Sequence, residues 1–155
     1  MKQVFGPVPS RRLGQSLGID PVPMKTCNFN CVYCQIGRTR PHRIERRHNF
    51  KVEDILDQVR DVLSAHHTGE IDWITFVGSG ETTLHAGIGE LVRGVKEMTD
   101  IPIAVITNGS LLYMADVRQE LASADAILTK LDAGSPALYR RINRPHQSLI
   151  FDQVI

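Results

Sequence analysis

Ile71-Asp72-Trp73-Ile74-Thr75-Phe76-Val77-Gly78-Ser79-Gly80 is a β-branched and aromatic run that ends on two glycines set one residue apart. Such a run reads as a buried strand followed by a tight loop. On either side of it the hydrophobic period changes. Upstream, Val52, Ile55, Leu56, Val59, Val62 and Leu63 recur at helical spacing, with Glu53 and Asp54 in the first turn where the helix dipole favours them. Downstream, Leu84, Ile88, Leu91, Val92, Val95 and Met98 give a second amphipathic helix, closed by Pro102.

The alternation continues to the carboxyl end. Ile103–Thr107 reads as a strand ending in Asn108-Gly109, residues 115–123 as a short helix, and residues 126–131 as a strand ending in Asp132. Ser135 and Pro136 supply an N-cap and first helical residue for 137–142, and Ser148 is placed to cap one more helix. Before the first helix, residues 16–20 offer a short apolar strand stopped by Pro21 and Pro23. Residues 4–15, rich in Gly and Pro, read as an extended lead-in with turns. Strands separated by helices predict βαβ units, a parallel sheet and an α/β fold of about four such units. Right-handed crossovers then bring the strand carboxyl ends to one edge, where ligand sites of such folds gather.

The loops at that edge hold the unusual residues. All three cysteines of the chain stand in one of them, Thr26-Cys27-Asn28-Phe29-Asn30-Cys31-Val32-Tyr33-Cys34-Gln35. Three cysteines would fall at this spacing in roughly one shuffled sequence in four thousand, which makes the pattern informative. Cys27, Cys31 and Cys34 can fold round one iron–sulfur cluster and leave one iron without a protein ligand, an open position for something that reacts. Two other readings use the same thiols: a zinc site completed by His42 or His48, with the basic stretch as a nucleic-acid surface, and a non-enzymatic iron–sulfur electron carrier. The odd count and the lack of a signal-peptide core speak against a disulfide framework.

Gly78-Ser79-Gly80 is expected to bring backbone N–H groups close to a ligand, with Glu81 facing it as a polar anchor or a partner for an ammonium group. Lys130 and Asp132 flank Leu131, so alternation puts both on the opposite face from it. Tyr33 is either a packing aromatic or a platform for a flat base. His66, His67, His85 and His146 have no recognisable partner in the sequence and read as bystanders.

Charge and composition bound the rest. With 18 basic and 17 acidic residues among 155, the chain has no global field to draw it to nucleic acid or membrane. The basic charge is uneven, however: Arg38, Arg40, Arg43, Arg46, Arg47 and Lys51 stand against Glu45 alone, directly after the cysteines. That stretch is a solvated loop or a patch for phosphate. No apolar run is long enough to cross a bilayer, and a reduced, cytoplasmic compartment is the expectation.

The Cys-x-x-x-Cys-x-Tyr-Cys pattern followed by Gly-Ser-Gly-Glu resembles the radical S-adenosylmethionine superfamily. The resemblance implies a partial (β/α) barrel, the N-terminal part of a (β/α)6 core, spanning residues 1–155. It implies that Cys27, Cys31 and Cys34 hold a [4Fe-4S] cluster whose free iron is chelated by S-adenosylmethionine, and that Tyr33 lies near adenine. Gly78, Ser79, Gly80 and Glu81 match the element that meets the methionine amino group, with Ser79 at a usual glycine and Thr82 where proline is frequent. By position, Thr107, Asn108, Lys130 and Asp132 fall where that family contacts ribose and carboxylate. A low-potential electron donor of flavodoxin or ferredoxin type is implied as a partner.

A narrower likeness runs through Ser10-Arg11-Arg12-Leu13-Gly14, residues 16–34, Leu131-Asp132-Ala133 and Tyr139-Arg140-Arg141-Ile142-Asn143-Arg144-Pro145. It is similar to the group related to the wyosine-forming enzymes, which suggests tRNA as a substrate. A barrel of about four units is also expected to leave its last strand edge open to a partner chain or a second copy.

Overall fold

A computed structural model describes residues 2–155. One sheet of five strands in chain order carries the fold: β1 (Val4–Ser10), β2 (Gly14–Ile19), β3 (Trp73–Phe76), β4 (Ile103–Ile106) and β5 (Ala126–Leu128). Parallel pairing joins β2 to β3, β3 to β4 and β4 to β5, so these four strands point their carboxyl ends the same way. The crossovers contain α1 (Val52–Ser64), α2 (Ile88–Met98) and α3 (Ala115–Leu121), and α4 (Pro136–Ile142) and α5 (Phe151–Val154) follow.

The helix at residues 52–63 forms as its periodicity predicts, with Val52, Ile55 and Val59 buried. Ser135 accepts the Leu138 amide, and Pro136 opens α4, where its missing N–H costs nothing. In the middle strands Leu17, Ile74, Phe76, Ile103 and Val105 are fully buried and join Ile88, Leu91, Val92 and Val95 of α2 in one core. Strands covered in this way need apolar residues on both faces, which is why residues 71–77 read as a continuous run rather than an alternating one.

Four expectations change. The lead-in is not merely extended: Val4–Ser10 pairs antiparallel with β2, with an irregularity between Phe5 and Val8. Pro7 and Pro9 fit there because an edge strand needs no donor on its outer side. The second helix begins at Ile88, not Leu84, since Thr82–Leu84 forms a separate 3-10 turn. Strand β5 stops at Leu128, three residues short of the predicted end. Ser148 is not a cap; α5 starts at Phe151 after Ile150, and the Ser148 hydroxyl bonds His146 instead. Strand β5 ends the sheet, with Ile127 exposed.

Because Ile74 lies in the central strand with no exposed surface, Ile74→Ala is expected to cost about 2–5 kcal/mol, the transfer and cavity terms together. Urea denaturation of both proteins measures it.

Candidate active site

Between Ile19 and Val52 the chain runs without helix or strand, and this segment contains the cysteines. Backbone polar groups in such a loop must find partners outside it. They find two. On one side the Lys25 amide donates to the Ser79 carbonyl and the Glu81 amide to the Thr26 carbonyl, both at 2.8 Å, so the cysteine loop is zipped to the Gly78–Glu81 turn after β3. On the other side the Asn30 amide donates to Asn143 O (2.9 Å), the Val32 amide to Ile142 O (2.9 Å), and the His146 amide to Asn28 O (2.7 Å). The end of α4 is therefore the second clamp.

The glycines matter for a different reason from the one expected. Neither Gly78 nor Gly80 has a positive φ. A Cβ at Gly78 would lie 2.1 Å from Asp20 Cγ, and one at Gly80 would lie 2.0 Å from the Thr26 carbonyl oxygen. Both positions need the absent side chain so that two loops can touch. Asp20, which the sequence reading passed over, takes the Ser79 amide (2.9 Å) and hydroxyl (2.6 Å).

The Glu81 side chain points into the protein. It is 2% exposed, and its carboxylate accepts the Thr83 amide (3.1 Å), the Thr83 hydroxyl (2.6 Å), the Thr107 hydroxyl (2.5 Å) and the Asn108 amide (2.7 Å). One buried carboxylate thus ties the turn after β3 to the turn after β4, and the four donors satisfy its charge. Asn108 continues the chain of bonds: its amide nitrogen donates to Asn28 Oδ1 at 2.8 Å, and Asn28 donates to Ser110 Oγ at 2.7 Å. Thr107 and Asn108 are parts of this frame. Asn28, Thr83 and Asn143 were missed. For Asn143 the signal was present in the Tyr139–Pro145 segment, but nothing in the sequence said that this segment touches the cysteines.

All three cysteines line one cavity of about 550 Å³, together with Gly78, Ser79, Gly80 and Ile106. Burial pushes the Cys27 thiol up to about 11 despite the Phe29 amide aimed at it. Around Cys31 the side chains form a network: Lys130 Nζ lies 3.1 Å from its sulfur and Asn143 Nδ2 3.5 Å. Lys130 also donates to the Tyr33 hydroxyl and pairs with Asp132 at 2.9 Å, while Tyr33 donates to Asp132. Burial pulls the Lys130 ammonium down, but Tyr33, Asp132 and Cys31 outweigh it and hold it above its ordinary range. Burial raises the Asp132 carboxyl, and Tyr33, Lys130 and Asn143 bring it below the usual range. Lys130 and Asp132 do share a face, as alternation predicts, with Leu131 exposed on the other side.

The histidines proposed for zinc lie elsewhere. The His42 ring sits 6.4 Å from His146 beside a separate cavity of about 590 Å³, and His48 stacks edge-on with buried His85 at 5.6 Å. Among the described residues no three His, Cys, Asp or Glu side chains converge as a single-ion site requires. The donor set at the cavity is three soft sulfurs with no histidine, which is the set that iron–sulfur clusters use.

The family profile described as the Radical SAM superfamily matches residues 22–150. The chain belongs to that superfamily. It is 44% identical over its whole length to a UPF0026 protein of Methanocaldococcus jannaschii, covering 48% of that protein. It is 28% identical over 83% of its length to a probable GTP 3',8-cyclase of Saccharolobus islandicus, covering 38% of it. In fold it matches the crystal structure of archaeal TYW1, with a TM-score of 0.50 at 18% identity, over 80% of this chain and 44% of that one. The chain therefore spans about half the length of the UPF0026 relatives it matches. The partial β/α barrel expected from the sequence fits the observed sheet.

The contact at Gly80 yields a test that needs no metal. Gly80→Ala is expected to part the two loops and to speed alkylation of the three thiols in metal-free protein several-fold. Gly134→Ala, where an added Cβ meets open space, is expected to leave that rate unchanged. Thiol-modification kinetics compare them.

Proposed function

We propose that the cavity at the carboxyl edge of the sheet is the active site of a radical S-adenosylmethionine enzyme. Cys27, Cys31 and Cys34 would hold a [4Fe-4S] cluster, and S-adenosylmethionine would occupy its open corner against the Gly78–Gly80 turn. The observation that carries this reading is the meeting of three cysteines and that turn on one cavity of about 550 Å³, a volume in the range that encloses small ligands. A cluster held by Cys27, Cys31 and Cys34 would supply one-electron reduction of the S-adenosylmethionine sulfonium, the chemistry needed to remove a hydrogen atom from an unactivated substrate.

The chain's own residues bind and position. The two clamps fix the cysteine loop, so that the three sulfurs share a wall before anything binds. Asp20 and Glu81 hold the turn after β3 from either end. Tyr33, with half its surface exposed, offers a ring face for a base, while Phe29 and Ile106 line the cavity and exclude water. No proton transfer is assigned to a side chain, because the bond-breaking chemistry belongs to the cofactor. In this reading residues 1–155 are the N-terminal part of the core, and the β5 edge takes a further strand from the rest of the barrel, a second copy or another chain.

For the substrate class, the likeness to wyosine-forming enzymes favours tRNA, and the surface beside the site supports it. Arg46 is spent on Glu120, with Asp116 nearby, and Arg47 on Glu45. Among the described residues, Arg38, Arg40 and Arg43 are exposed without a carboxylate partner. Arg40 and Arg43 line a groove of about 450 Å³ that shares Lys25 with the cysteine cavity.

Anaerobic reconstitution with iron and sulfide, then dithionite and S-adenosylmethionine, is expected to release methionine and 5'-deoxyadenosine in equal amounts. A well-loaded cluster that releases neither defeats the reading and leaves an electron carrier. Binding of tRNA, followed by filter retention, is expected to weaken as salt rises, and replacing Arg43 by Ala should flatten the salt slope by about one. Retention that ignores salt excludes phosphate contact.

A further inference from the structure

Every cysteine sulfur in the cavity is met by at least one N–H donor, and the donors come from separate segments. Cys27 receives the Phe29 amide at 3.4 Å and Asn108 Nδ2 at 3.9 Å. Cys34 has Lys25 Nζ at 3.7 Å. Cys31 has Asn143 Nδ2 at 3.5 Å and, closest of all, Lys130 Nζ at 3.1 Å. The Lys130 ammonium is held there from three sides: it lies 5.4 Å from the Phe29 ring centre, 4.9 Å from that of Tyr33, and 2.9 Å from the Asp132 carboxylate. Lys130 and Asp132 keep only 30% and 22% of their side-chain surface exposed, so water screens the pair weakly.

We propose that Lys130 and Asp132 act as an opposed charge couple that sets how readily the metal group on Cys27, Cys31 and Cys34 accepts an electron, Lys130 favouring reduction and Asp132 opposing it. The inference rests on the function proposed above, in which those cysteines hold a cluster. Reduction adds one electron, delivered by a low-potential donor such as dithionite, to a group already carrying thiolate charge. A cation and N–H donors at the sulfurs stabilise the reduced form more than the oxidised form. The ammonium stands between sulfur and carboxylate, touching both, so removing either charge alone changes the field at Cys31 in opposite senses. Lys130 is thereby a positioning residue for charge, acting through Cys31, and not a direct contact for S-adenosylmethionine.

The test is the midpoint potential of the reconstituted cluster, read by electron paramagnetic resonance under controlled potential without S-adenosylmethionine. Lys130→Gln is expected to lower the midpoint by the equivalent of about tenfold in the reduction equilibrium, 59 mV for a one-electron couple. Lys130→Arg, which keeps the charge, should stay close to the unaltered protein, and Asp132→Asn should raise the midpoint. Opposite signs are the signature, since mere loosening of the loop would move both variants the same way. Shifts of the same sign overturn the proposal. So does an unchanged midpoint in Lys130→Gln accompanied by weaker S-adenosylmethionine binding, which would assign the lysine to that ligand. Should Lys130→Gln take up no cluster, the rise in Asp132→Asn decides: its presence supports the couple and its absence refutes it. An unaltered protein that takes up no cluster refutes the parent reading, and this inference with it.

Discussion

The carbonyl oxygen of Thr26 accepts the Glu81 amide at 2.8 Å, and the space where a Gly80 side chain would stand is filled by that same oxygen. This contact between two loops decides whether the edge of the sheet is a site or a set of loose ends. A parallel sheet delivers its strand termini to one edge, but the edge has no ladder of its own, and each loop leaving it must place its backbone groups on a neighbour. Here the loop after β2 places them on the turn after β3 and on the end of α4. The sulfurs are arranged as a consequence, because Cys27 follows Thr26 directly and Cys31 lies between Asn30 and Val32, both bonded to α4.

Glu81 then gives the edge its rigidity. A carboxylate at 2% exposure stands only if its charge is met, and its four donors come from the turn after β3 and the turn after β4. The bonds run on through Asn108 to Asn28 inside the cysteine loop. Three loops that are distant in sequence thus share one buried polar chain, in which every member is satisfied by another. Such a network costs more to break than to keep, since any single deletion strands its partners in the core.

Much of this architecture could be read from residue patterns alone. Helical spacing at Val52–Leu63 and the apolar run at Ile71–Val77 placed α1 and β3, and the strand–helix alternation gave the parallel sheet, because period and length are local properties. What escaped was non-local. Val4–Ser10 forms a strand only because β2 lies beside it, and its prolines masked that. Glu81 is expected from the glycine turn before it to face a ligand; its burial depends on Thr107 and Asn108, which are 26 and 27 positions away. The cysteines were legible as a group because they fall within one loop. Lys130 and Asp132 were legible as a pair, but the contact of Lys130 with Cys31 joins residues 99 apart, and no spacing rule reaches so far.

The same distinction explains the basic stretch. Six cations in sequence look alike, yet Arg46 reaches inward to the Thr83 and His85 carbonyls and to Glu120, bracing the 3-10 turn that follows Glu81. Arg46 is therefore part of the frame, and its charge is cancelled. Arg38, Arg40 and Arg43 keep theirs, and Arg40 and Arg43 line the groove that meets the cysteine cavity at Lys25. Counting charge along the chain overstates the patch: of its five guanidinium groups Arg46 and Arg47 are paired with carboxylates and three are not. Under the function proposed above, a field of that size would not hold a polyanion by itself but would steer its approach. Tyr33 and Ile36 at the cysteine cavity and Met24 at the groove leave apolar surface exposed. For the tRNA proposed above, phosphates would meet the unpaired arginines and a base would stack on Tyr33, a combination that a purely anionic partner does not offer.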